Sequence, residues 1–381
     1  MGKRELLLIL GFVIVGSLVY VLTAPQRDAG REGFSLGRII DEIRREARGR
    51  PASAEITTSD SHPVPASVSE LRVNLGTTQI TIVGEKREDI ASELHVVSNG
   101  YDDAEAKSLA GQVALTLEPA GPSMMARISY PRPGSQRARL TLRVPSRLTV
   151  QFEPTQTRLE VSGVAAVDHK SARGETIFRQ IPGRVTATHR GGELTVEDVG
   201  SVRLSTRGSD LRLMRVHGEV ILQVQAGEVR AAELGGPVDL TATDAEVTIE
   251  KLEKTRGPVR IASVEGDLTL RGLATEARID GRATDMNIGI AKAAPIAIFN
   301  TDSAGRVQIT PPPGAFTIDA VAADARIVAP DDLRVHVAAS QAGGTHTERL
   351  SAQIHGGGPT ITIRTTRGEI RIGPPGGADG R

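Results

Sequence analysis

The chain has 381 residues, and its 46 Lys+Arg balance 46 Asp+Glu to a net charge of zero. That balance removes the basic footprint of a nucleic-acid binder, and the absence of Cys excludes disulfides, thiolate metal sites, iron–sulfur clusters and thiol catalysis. Aromatics are 2% with no Trp, while 41 glycines make about 11% of the chain against a usual ~7%, so the core must be built from small aliphatic side chains.

Lys3 and Arg4 precede residues 6–24, nineteen residues without a charge. A helix of that length spans roughly 28 Å, about the hydrocarbon thickness of a bilayer. The segment reads as a retained signal anchor with a cytoplasmic N-terminus, which places the rest of the chain outside the bacterial cytoplasmic membrane, in the periplasm or at the cell surface. A cleaved signal peptide is the alternative, with a cut after Ala24 that puts Leu22 where a small residue is wanted.

Residues 25–66 read as a stalk. Leu36, Ile39, Ile40 and Ile43 recur at helical spacing and predict a short amphipathic helix, a linker helix or one lying on the lipid surface. Beyond Val68 the period changes to two. Leu71, Val73 and Leu75, then Ile80 and Ile82 after Gly76, predict a hairpin. Asp102 and Asp103 suit the start of a short helix reaching Ala110. Residues 67–152 are expected to form an antiparallel β region that caps the remainder of the chain.

From residue 180 one phrase repeats. Gly183-x-Val185, Gly200-x-Val202, Gly218-x-Val220, Gly236-x-Val238 and Gly257-x-Val259 step by 17, 18, 18 and 21 residues. Each unit carries a second strand, such as Gly192-x-Leu194-x-Val196 or Gly266-x-Leu268-x-Leu270. A late copy, Gly358-x-x-Ile361 with Gly368-x-Ile370, closes the chain before a disordered tail at 374–381. A unit of two short strands cannot bury its own apolar edge, but stacked copies bury a continuous column. The expected architecture is all-β: a parallel β-helix or solenoid over 153–373, with the N-terminal β region as cap and one transmembrane helix before it. Roughly ten rungs would make a rod on the order of 50 Å long. A β-sandwich array of meanders is the competing fold.

The repeated G-x-V-x-L phrase, the closing GPTITIRTTRGEIRIG and the opening LRVNLGTTQITIVGEKREDIASELHV resemble a bacterial family of putative-adhesin β-helical ectodomains, a domain of unknown function. The resemblance implies a right-handed parallel β-helix displayed on the cell envelope. It brings no catalytic residues with it.

The residues themselves point the same way. Glu193, Asp210, Glu228, Glu246 and Asp267 each precede the second strand of successive repeats, so stacking would align them as an acidic ladder along one corner. Such a ladder could be a cation site or a catalytic groove. Turn chemistry balanced by Arg203, Arg212, Arg230 and Arg260 explains the same residues. The eight histidines show no metal-ligand spacing, and no nucleophile elbow, phosphate loop or dinucleotide fingerprint is present. No catalytic residue, metal or cofactor is therefore assigned. The expected function is a membrane-anchored, non-catalytic envelope scaffold or adhesin-like module, partnered by the membrane through residues 6–24 and by an envelope protein, a surface ligand or a second copy of itself. A glycan-binding or glycan-cleaving β-helix, or the ectodomain of an envelope-sensing complex, are the alternatives.

Overall fold

The computed structural model describes residues 52–373 except 77, 132–135, 156–157, 172, 303–304 and 343. The expected anchor at 6–24, the apolar stripe from Leu36 to Ile43 and the tail at 374–381 lie outside the described residues. Among those described, no helix is long and apolar enough to cross a membrane.

The protein is a β-solenoid. Each rung consists of one strand, a corner, and a second strand that turns back toward the next rung. Val220–Leu234, Val238–Glu250, Val259–Leu273 and Ala277–Ile290 are four such rungs, each parallel to and in register with its neighbours. The pairing is parallel because each copy repeats its predecessor's direction, which rules out an array of meanders. Met124, Leu71, Val150, Val167 and Val185 form one buried column. Val202, Val220, Val238, Val259, Ala277, Ile296, Ile361 and Ile318 continue it up the stack, Gly200 lying over Pro182 and Gly183 of the rung below. Each of these larger aliphatic side chains contributes about 1.5–3 kcal/mol of burial, so stacking supplies what aromatic rings supply elsewhere.

Three expectations change at the N-terminal end. Glu70–Asn74 and Gln79–Glu85 do not form a hairpin across Gly76. They are the two halves of one rung, with Gly76 at the corner at φ +60°. Glu70–Asn74 lies parallel between Ser123–Ser129 and Thr149–Thr155, and Gln79–Glu85 lies parallel between Gln136–Pro145 and Leu159–Ser162. The solenoid therefore begins at residue 70, inside the region expected to be a purely antiparallel cap. Antiparallel pairing is confined to the outer layers, where Asp89–Gly100 covers Gln136–Pro145 and Ala114–Ala120 covers Ser123–Ser129. Residues 52–63, expected within the stalk, form a strand along Asp89–Gly100. The helix appears at Asp103–Gly111, with the Asp102 carboxylate accepting from the Glu105 amide at 2.8 Å.

The closing repeat of the sequence does not close the stack. Thr360–Thr366 is inserted between Ile296–Thr301 and Phe316–Ala323, and Ile370–Ile372 between Val307–Thr310 and Ile327–Val328. Beyond Phe316–Ala323 the stack ends in antiparallel Thr345–Ile354 and Val337–Ala342.

Candidate functional site

The acidic ladder forms as a register, and the side chains are spread along an open corner. Glu228 lies opposite Glu246, and Glu246 opposite Asp267, in adjacent parallel strands. Asp285, absent from the sequence-derived set, continues the line opposite Asp267. Asp210 stands one rung below Glu228, next to the Leu211–Val229 pair. Glu193 is 3.2 Å from Arg212, Glu228 pairs with Arg230, and Asp285 accepts from the Arg306 amide at 2.7 Å. Opposed carboxylates about 4.8 Å apart repel, and the flanking guanidiniums offset that repulsion. Among the described residues no group of three or more His, Asp or Glu is arranged to hold a metal.

A different feature gathers chemistry on the first-strand face. A groove of about 630 Å³ crosses four consecutive rungs. One wall is the column Thr188, Ser205, Gln223 and Thr241, and the other is Arg190, Arg207, Gln225 and Thr243. Between them the floor is strand at His189, Thr206 and Val224, whose side chains are buried. Alternation produces this arrangement: Val, Leu and Ala point to the core, so the intervening Thr, Ser, Gln and Arg face out. Arg207 donates from Nε to Gln225 Oε1 at 2.8 Å across the rung step. No wall residue is acidic. Sequence reading missed the groove because outward Thr, Arg and Gln recur on every rung, and nothing in their order marks these four.

The Toastrack DUF4097 family profile matches residues 68–373. The chain belongs to the Toastrack DUF4097 family. Solved structures similar to this Toastrack chain include a putative adhesin from Parabacteroides distasonis, 9% identical, with 83% of this chain and 97% of that chain covered at a TM-score of 0.31. A putative adhesin from Parabacteroides merdae is 7% identical over 83% and 95% of the two chains, at 0.29. A putative lipid binding protein from Parabacteroides distasonis is 11% identical over 83% and 96%, at 0.20. All three TM-scores fall below 0.5, so the family match alone carries the assignment. No curated protein matches the chain.

The Toastrack domain also buries two imidazoles beneath one end of the groove. His169 sits edge-on between Phe152 and Phe178, with ring centroids 5.5 and 5.6 Å away. Its ring nitrogens have no hydrogen-bond partner. Burial, with a smaller contribution from His189, pushes its pKa down to about 3. Burial lowers the pKa of His189 as well, opposed in part by the Gly174 backbone. Both are neutral core residues at pH 7, and His189 belongs to the buried floor between Thr188 and Arg190.

Proposed function

We propose that this Toastrack domain is the extracytoplasmic interaction module of a membrane-anchored chain. Residues 6–24 would be its single pass through the bacterial cytoplasmic membrane, and the solenoid a non-catalytic, adhesin-like scaffold. The observation that carries the reading is the groove. Its walls hold hydroxyl, carboxamide and guanidinium groups on a rigid sheet, which is chemistry for holding a ligand; proton transfer calls for groups that titrate near the working pH. The partner on this reading is an envelope protein or a surface ligand, and a second copy of the chain is a further candidate.

The test uses the full-length chain expressed in a bacterial envelope. Deleting residues 1–24 is expected to move it from the membrane pellet to the soluble fraction, with its β-sheet circular dichroism and its capture of envelope material intact. Retention in the pellet after the deletion would overturn the anchor. Recovery of neither a partner nor a self-associated form from envelope material would overturn the interaction module.

A further inference from the structure

We propose that the groove over residues 188–243 binds a segment of anionic polysaccharide. The proposal rests on the interaction-module reading and specifies its ligand class. Arg190 has no ion-pair partner among the described residues, and Arg207 is held by a neutral carboxamide. Each presents a planar set of N–H donors that matches a carboxylate, sulfate or phosphate group. Lys170, in register with Thr188, extends the positive edge by one rung. On this face Asp168 and Asp239 stand two residues upstream of Lys170 and Thr241, and Asp280 continues the Thr241 column two rungs further on, all three outside the groove walls. An anion entering the groove therefore meets cations without an internal acid to displace.

The rest of the surface fits a polyhydroxylated chain. Ser205, Gln223 and Thr241 repeat every ~4.8 Å up the stack, and alternate residues along each strand are about 6.6 Å apart. This gives a two-dimensional lattice of donors and acceptors some 14 Å long, able to meet successive sugar hydroxyls. A nucleic acid matches it poorly. Duplex DNA carries one charge per ~1.7 Å of axis, far denser than these few cations, and the one ring among the lining residues, His189, is buried and offers no face on which a base could stack. A lipid surface would be met by apolar side chains, and the one apolar residue lining the groove, Val224, is buried.

The experiment measures binding of full-length protein to polygalacturonate, to neutral dextran of matched length, and to vesicles containing an anionic phospholipid. Polygalacturonate is expected to bind, more weakly as salt is raised, while dextran and vesicles bind at least tenfold less tightly. The double variant R190Q/R207Q should lose about tenfold or more in affinity for polygalacturonate, and R190K/R207K should recover part of it. R230Q/R271Q, which removes the same charge from the second-strand face, should bind as wild type. Equal thermal midpoints of the variants would show that the fold is kept. No binding of polygalacturonate, equal binding of dextran, preferential binding of vesicles, or full affinity in R190Q/R207Q would each overturn the proposal. Capture of envelope material that survives in R190Q/R207Q would overturn the groove assignment and leave the interaction module standing.

Discussion

At the scale of single residues, the corners divide into two kinds that look alike in sequence. Asp198, Arg215, Glu233 and Lys251 hold φ between 54° and 59° at the same corner of four rungs, and Ala226 and Ala283 hold φ 56° at the other corner. A left-handed conformation costs an L-residue about 1–2 kcal/mol. Asp can recover some of that through local hydrogen bonds, but Ala has no group to do so. Ala226→Gly should therefore stabilise the protein by about 0.5 kcal/mol after the added chain entropy is counted, read as a higher urea midpoint. The leading glycines of the repeats would be the natural residues to supply that left-handed freedom. Gly200 does not: its φ is not positive, and a Cβ there would stand 2.0 Å from the Pro182 carbonyl oxygen of the rung below. Gly200→Ala should lower stability by about 1–3 kcal/mol or more, the opposite sign from Ala226→Gly in the same assay. His169 sets the response to acid. The folded protein keeps it neutral to about pH 3, whereas the unfolded chain takes up a proton below about 6.5. Stability from this site is complete above pH 6.5 and falls by about 1.4 kcal/mol per pH unit between 6.5 and 3. In His169→Met the loss between pH 7.5 and 5 should be smaller by about 2 kcal/mol, measured by denaturant titration at both values.

At the scale of elements, alternation and punctuation were legible and partners were not. Asp102 could be read as a helix start, since a cap acts within a few residues. Leu71, Val73, Ile80 and Ile82 could be read as two short strands around Gly76. Their true neighbours, Met124, Ala126, Leu140 and Leu142, lie more than 50 residues away, a distance over which periodicity carries no information. The acidic ladder was legible for a similar reason, because a fixed step of 17 to 21 residues fixes which side chains share a corner. The groove was not, because its walls use the same residue types as every other outward face. The ladder yields its own prediction. Glu246 lies between Glu228 and Asp267, so Glu246→Gln removes two repulsive neighbours. The variant should unfold at a higher denaturant midpoint at low ionic strength, and the gain should shrink as salt is added. A gain independent of salt would show that repulsion was not the cause.

At the scale of the whole stack, both terminal repeats are internal. Residues 70–85 and 360–372 each lie between rungs contributed by segments nearer the middle of the chain. Truncation after residue 358 would leave Ile296, Ile298 and Ile318 without the partners Ile361 and Ile363. Limited proteolysis of such a variant should digest the chain from about residue 296 onward while the rungs at 202–290 persist, since a repeat array loses stability locally. Sequence repetition predicted the kind of rung, but it implied stacking in chain order. The exceptions at both ends arise from long-range pairings such as Thr317 with Thr360. This arrangement bears on synthesis. A simple repeat array can add each rung as it leaves the ribosome, but here the rungs at 296–310 and 316–328 must wait for a strand made more than 30 residues later. Until then their edges are open to any strand of similar pattern, including the same segment of a neighbouring nascent chain. The price of ends that cannot fray is a short interval, late in every round of synthesis, in which two chains could exchange their last strand.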